Sequence, residues 1–222
     1  MLPSGNNLAN VAAASTSLRA GTIITTLNDG LIPNNTGAMR GGGGGGNRPQ
    51  QRPSTAQWVQ YELTQPVSTK EISVFWWNFE NSAKLPLAYR VQYWDGTNFV
   101  PVKNAKGLGL ANNQFNPTSF DEIKTTRLRL EVDSADRFTS TLLEWMVFQS
   151  PDSPNHPPVV TAGGDRSVMV GGKTYLSGAV KSVTPYNKVE WTKKSGPGAV
   201  TFADAKSLKT TATFTVPGDY VL

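Results

Sequence analysis

The chain has 222 residues, of which 38% are hydrophobic and 17% charged, with a formal net charge of +5. That is room for one large domain or two modest ones, and the charged share falls below the roughly 25% of an ordinary soluble domain. Cysteine is absent and histidine occurs once, at His156; disulfides, thiolate nucleophiles, Cys-ligated metals, Ser-His-Asp chemistry and His-built metal sites are thereby excluded.

The positive charge is spread thinly over both halves, with one local excess at Arg40, Arg48 and Arg52 around a glycine run. Nucleic-acid binders gather such charge on one face, so no nucleic-acid partner is expected. No segment approaches the ~20 continuous apolar residues of a membrane span. Residues 1–30 show no basic start followed by an apolar core, so no signal peptide is visible there.

In chain order, NNLANVAAASTS at 6–17 lacks helical spacing. LNDGLIPNNTG at 27–37 is turn chemistry throughout, with Asn, Asp, Gly and Pro where the backbone needs a left-handed or fixed φ. GAMRGGGGGGNRPQQRPST at 37–55 is low complexity and reads as a flexible loop insertion, because six consecutive glycines lose much entropy on ordering and bury no side chain. Short strands then follow at about 57–63, 70–77, 88–94, 98–103, 117–121, 126–132 and 142–149. Asp95-Gly96 is a hairpin turn between two of them. At 126–132 the alternation places Leu128, Leu130 and Val132 inward and Arg127, Arg129 and Glu131 outward. Many short strands with no periodic helix predict an all-β sandwich or jelly roll.

SPDSPNHPP at 150–158, with four prolines in nine residues, predicts a stiff, extended linker. Beyond it stand Ala162-Gly163-Gly164-Asp165, Trp191, the Ser195-Gly196-Pro197-Gly198 turn and Pro217-Gly218-Asp219-Tyr220.

Six tryptophans divide between core and surface. Trp58, Trp145 and Trp191 sit at alternating positions of apolar strands and read as core, and Trp94, ahead of a hairpin turn, also reads as packing. Trp76 and Trp77 are adjacent on a strand and point to opposite faces. Trp77 leads into the polar loop NFENSAKLP at 78–86, where a ring can stack on a sugar. The acids Glu80, Asp95, Asp121, Glu122, Asp133, Asp136 and Glu144 are scattered over different loops and strands. No pair shows the close spacing that glycoside hydrolysis requires.

The order of TLNDGLIP, WVQYEL, YRVQYWDGTNFVPV, TTRLRLEV and LLEWMVF resembles the discoidin (coagulation factor 5/8 type C, galactose-binding-like) family, in the version appended to bacterial secreted glycoside hydrolases. The resemblance covers about 6–149, with the 6–17 segment similar to the family's first strand. Residues 157–222 resemble the PKD-like immunoglobulin-type modules of secreted bacterial proteins, which run on for one more strand, so the second module is expected to be truncated.

The resemblance implies a discoidin-type jelly-roll β-sandwich (6–149), a Pro-rich linker (150–156) and a partial immunoglobulin-like β-sandwich (157–222). It further implies a non-catalytic carbohydrate-binding accessory module of a secreted, periplasmic or cell-surface bacterial polysaccharide-degrading enzyme, monomeric or part of a larger chain. The candidate sugar contacts are Trp77, Asn78, Phe79, Asn81, Lys84 and Arg137. Relatives in the family hold a structural Ca2+ with backbone carbonyls, an acid in an Asp-Gly turn and a Glu on the last strand. Asp29 and Glu144 match those positions, with Asn28 and Thr36 as further candidates. An Asx-turn beside a buried, hydrogen-bonded Glu is the alternative. The other functional reading is a structural or adhesion module that contacts protein or cell surface, or braces a neighbouring catalytic domain.

Overall fold

The structure is a computed structural model, and it describes residues 5–17, 27–30, 57–77, 85–133 and 142–222. The chain divides into two compact units between His156 and Pro157.

Unit 1 opens with a single 3-10 turn, Leu8–Val11, where the sequence was expected to be extended. Asn7 causes the difference: its side-chain oxygen accepts from the Ala9 N–H and caps the turn. The strands are β1 (Ala13–Thr16), β2 (Gln57–Trp76), β3 (Ala88–Trp94), β4 (Phe99–Pro101), β5 (Gln114–Asp133) and β6 (Leu142–Phe148).

The separate strands expected at 57–63 and 70–77 are one strand, β2, and those expected at 117–121 and 126–132 are one strand, β5. They pair antiparallel from Gln57↔Val132 to Trp76↔Gln114. The ladder slips register between Glu62 and Val67 and again between Thr69 and Glu71. A bulge breaks the two-residue alternation while the strand continues, so a reading by alternation divides it. Pro66, which cannot donate to a ladder, falls inside the first slip.

The bulges let both strands serve two layers. One layer runs β1, the first half of β2, the second half of β5, β3 and β4; the other joins the second half of β2 to β6 and to the first half of β5. Between them lies the core, in which Tyr61 stacks on Trp145 at 4.3 Å and Trp76 tilts against Tyr89 at 5.5 Å. Unit 1 is a jelly-roll β-sandwich.

Trp58 is on the outer face rather than in this core. Val59, Tyr61 and Leu63 take the buried positions of β2, which turns residues 58, 60 and 62 outward. There the Arg129 guanidinium lies over the rings of Trp58 and Phe99, at 4.4 and 3.7 Å, and Arg127 over Trp94 at 5.2 Å. Arg129 also donates to the Gln60 side-chain oxygen, and Arg127 pairs with Glu62 at 2.9 Å. The inward and outward sides of 126–132 are as the alternation predicts.

The proline-rich 150–156 stretch is tied to β2. The Ser68 N–H donates to the Ser153 hydroxyl at 2.9 Å, the Gln65 amide donates to the Asn155 carbonyl at 2.7 Å, and Thr64 meets His156 Nε2 at 3.2 Å. His156 is buried there.

Unit 2 contains β7 (Val159–Thr161), β8 (Lys173–Ser177), β9 (Ala179–Lys181), β10 (Val200–Phe202) and β11 (Lys209–Phe214). β7 pairs with β9, and β10, β11 and β8 form a three-stranded antiparallel sheet. Trp191 is half-buried and donates its indole N–H to the Ser207 carbonyl at 2.9 Å. The Tyr220 hydroxyl donates to the Val216 carbonyl at 2.9 Å. Gly196, at φ 137°, lies against the Tyr220 ring, where a Cβ would collide.

Asn7 joins the first turn of unit 1 to its last strand, because its side-chain oxygen also accepts from the Val147 N–H at 3.0 Å. Asn7→Ala leaves that buried donor unpaired and is expected to cost about 1–3 kcal/mol. A lowered denaturation midpoint with unchanged slope checks this.

Candidate functional site

The turn 27–30 and β6 meet through a shared set of hydrogen bonds. The Trp145 N–H donates to the Leu27 carbonyl at 2.9 Å, and the Tyr61 hydroxyl lies 2.9 Å from both the Leu27 and Trp145 carbonyls. The Asn28 amide nitrogen donates to the Ala9 carbonyl at 2.6 Å and fastens the turn to the 3-10 segment. Gly30, at φ 72°, closes the turn and donates its N–H to Glu144 Oε1 at 3.3 Å.

Glu144 is 0% exposed, and its second oxygen, Oε2, has no hydrogen-bond partner. A buried carboxylate with an orphaned oxygen is costly unless it is neutralised or paired. Burial pushes its pKa up to about 8; the Gly30 N–H opposes that shift and the Asp29 carboxylate adds to it. Burial first, then the charges of Glu144 and Asp29, hold the Tyr61 hydroxyl well above its usual range. Asp29 and Glu144 therefore act on one small volume, although 114 residues separate Gly30 from Glu144. Among the described residues no group of three or more His, Cys, Asp and Glu side chains gathers. A cation here would rest on two acids completed by carbonyl or amide oxygens, a donor set of the hard type that Ca2+ accepts. The residues present fit such an ion. Thr36 lies outside the described residues.

The second cluster is at the same end of the three-stranded layer, since Phe75 pairs with Glu144 and Trp76 with both Leu142 and Gln114. Trp76 is fully buried and donates its indole N–H to the Gly109 carbonyl at 3.1 Å. Trp77 is the first residue beyond the strand and is half-buried. Beside it runs the 107–113 loop, whose Asn113 N–H donates to the Trp76 carbonyl at 2.7 Å.

Buried Asn116 holds that loop. Its amide nitrogen donates to the carbonyls of Ala111 (2.9 Å) and Gln114 (3.0 Å), and its oxygen accepts from the Ala111 N–H (2.9 Å). Gly109 packs so closely that a Cβ would sit 2.6 Å from the Asn116 side-chain oxygen. Leu108, Asn112 and Asn113 are exposed on this rigid loop. Sequence reasoning did not select them. The available signal was Gly-Leu-Gly-Leu-Ala-Asn-Asn at 107–113, with Asn113 in the left-handed region at φ 57°. The other expected sugar contacts, Asn78, Phe79, Asn81, Lys84 and Arg137, lie outside the described residues, as does the 41–47 glycine run.

No family model matches the chain, and no curated protein matches it in sequence. Solved structures that resemble part of it include one from work on the Streptococcus pneumoniae beta-galactosidase BgaA (20% identity, 63% of this chain, 93% of that chain, TM-score 0.48). Another is the Clostridium perfringens module CpGH89CBM32-6 (11% identity, 66% and 100%, TM-score 0.43). A third is the CBM32 of AlyQ in complex with 4,5-unsaturated mannuronic acid (13% identity, 62% and 95%, TM-score 0.42).

The Glu144 shift has a definite sign. A carboxyl whose folded pKa is raised holds its proton more tightly when folded, so between its unfolded pKa and about 8 the protein loses stability as pH rises. In chelator, the thermal midpoint of unit 1 is expected to fall from pH 5 to pH 8.5, and Glu144→Gln to flatten that slope. Calorimetry across this range checks both.

Proposed function

We propose that unit 1 is a non-catalytic carbohydrate-binding module and unit 2 an immunoglobulin-like spacer, together an accessory region of a secreted bacterial polysaccharide-degrading enzyme. The observation that carries this reading is Trp77. It stands half-buried at the mouth of β2, next to a loop held rigid by Asn116 and carrying exposed Asn112 and Asn113. An aromatic residue next to a loop that carries amides can offer a sugar an apolar face to stack on and donors and acceptors for its hydroxyls. Asn78, Phe79, Asn81, Lys84 and Arg137 are the further sugar contacts of this reading.

Catalysis has no comparable support. Of the acids Asp29 and Glu144, the Glu144 carboxyl is 0% exposed, out of reach of a glycosidic bond, and Glu131 and Asp133 are both engaged by Arg90. His156 is buried against Thr64, in the stretch tied to β2. The purified chain is expected to release no product from aryl glycosides or plant polysaccharides; turnover abolished by mutation of a single acid would refute this.

The acid pair fits a structural Ca2+ held by Asp29, Glu144 and oxygens of the 27–30 turn, with Asn28 and Thr36 as further ligands. A bound ion would supply the positive charge that lets Glu144 ionise inside the core. Tyr61 holds the turn against β6, and the Asn28 amide holds it against the 3-10 segment. Binding to the native state alone adds about 2.7 kcal/mol at a hundredfold excess over Kd. Calcium should therefore raise the melting temperature, chelator lower it, and Glu144→Gln remove most of the difference. Magnesium, which demands tighter octahedral geometry, should substitute poorly.

A glycan array with the whole chain tests the binding reading. Trp77→Ala is expected to lower the affinity for any glycan bound by the native chain at least tenfold, about 1.4 kcal/mol, while the calcium-dependent melting shift stays the same. Absence of binding to any glycan would overturn the reading.

A further inference from the structure

We infer that the outer face of the β1-β2-β5-β3-β4 layer of unit 1 binds an acidic polysaccharide, with Arg129 holding the carboxylate of a uronic acid residue. This face is at the far end of β2 from Trp77, since Trp58 lies at the start of that strand and Trp77 just beyond its finish. Arg129 stands at the centre of the face, directly opposite Gln60 on β2 and Gln92 on β3. Its guanidinium lies over the half-buried rings of Trp58 and Phe99, at 4.4 and 3.7 Å.

Arg90 and Arg127 share the face, and both have carboxylate partners. Arg90 forms a bidentate pair with Asp133 at 2.7 and 2.9 Å, and Arg127 pairs with Glu62 at 2.9 Å. Arg129 has no such partner among the described residues. Its hydrogen bonds both go to the Gln60 side-chain oxygen, from Nε at 3.3 Å and from Nη2 at 2.8 Å. A guanidinium carries donors on all its nitrogens, so those of Nη1 are left over. Glu131, the adjacent acid, is taken: it accepts from the Gln92 amide at 2.6 Å and lies 3.6 Å from Arg90. The charge balance differs accordingly. The Asp133 hydrogen bond raises the Arg90 pKa, whereas burial lowers that of Arg129 against an opposing pull from Glu131. A half-buried guanidinium without a counter-ion is completed by a fork-shaped carboxylate, through two parallel N–H···O bonds.

The amides on either side of Arg129 select the rest of the ligand. The Gln60 side-chain nitrogen and the Gln92 side-chain oxygen have no hydrogen-bond partner among the described residues. One donates and the other accepts, which suits hydroxyl groups, able to do both. An acidic polysaccharide presents hydroxyls on both sides of each carboxylate, on rigid rings, so it meets the guanidinium and both amides together. An Asp or Glu side chain of a peptide brings the carboxylate alone, on a mobile stem, and leaves the amides to water. Trp58 and Phe99 add apolar surface against the same guanidinium, the mixture of apolar walls and a few placed polar groups that fixes a small ligand.

Calorimetric titration of the whole chain tests the inference, with short oligomers of galacturonate, glucuronate and mannuronate as probes. At least one is expected to bind, its methyl ester to bind at least tenfold more weakly, and its affinity to fall with added salt. Arg129→Lys keeps a cation over the rings but loses the fork, and Arg129→Gln loses the charge as well. Each is expected to lower the affinity at least tenfold. The ester comparison needs no substitution and stands whatever these variants do to stability. Uronates held at Arg129 are the exception to the Trp77 dependence of glycan binding, so Trp77→Ala is expected to leave their affinity unchanged, and failure of the Trp77 site does not touch this result. No binding of any of these oligomers, equal binding of acid and ester, or loss of uronate binding in Trp77→Ala overturns the inference. So does an oligomer of glutamate that binds as tightly as the uronate, because a peptide acid then fits the face equally well.

Discussion

Everything in unit 1 hangs on two strands that never stop. β2 and β5 pair over 20 residues each and belong to both layers of the sandwich. In a sandwich of separate sheets, the layers can slide against one another at the cost of side-chain packing alone. Here a slide would also break the ladder, since the same backbone crosses from one layer to the other at Glu62–Val67 and Thr69–Glu71. The aromatic contacts of Tyr61 with Trp145 and of Trp76 with Tyr89 lie across that crossing. The register therefore places Glu144, opposite Phe75, and Trp77, one residue past the ladder, without help from the loops.

Against this rigid frame, the 27–30 turn is a small plug held by hydrogen bonds rather than by a ladder. Tyr61 and Trp145 fix Leu27, Asn28 reaches back to Ala9, and Gly30 meets Glu144. Among the described residues, these fastenings of the plug go to buried groups. Its charge balance is incomplete: the exposed Asp29 carboxyl approaches the buried Glu144 carboxyl, which burial already disfavours as an anion. Protonation of Glu144 restores the balance without any change of partner for the Gly30 N–H.

The legible part of the chain was the part with regular alternation. At 126–132 the apolar positions named their own face, and the buried Trp145 followed from its apolar strand. Trp58 was misread because it was counted among the alternating core positions of its strand, while the parity set by Val59 and Tyr61 turned it out under Arg129. The breaks in β2 and β5 were misread because a bulge and a strand end look alike when only alternation is followed. The approach of Asp29 to Glu144 rested on resemblance, since nothing local in either segment encodes a partner more than a hundred residues away. The 107–113 loop escaped notice because its organiser, Asn116, acts through its amide from inside a strand, where sequence pattern records only a polar residue.

The sheet margins of the two units differ in kind. In unit 1 the margins are β1, four residues long, and β4, three residues ending in Pro101, while the outer side of β6 is covered by bonds from Asn7 and to the carbonyls of Asn6 and Leu27. Short, proline-ended or covered margins offer no template for a neighbouring molecule. In unit 2, residues 162–168 run outside any sheet and carry none of these protections. Among the described residues, the outer sides of β8 and β10 and of the β7–β9 pair are likewise unpaired. The margins that offer a template for intermolecular strand pairing in concentrated solution therefore include several in unit 2, apart from the residues proposed to hold a sugar or an ion.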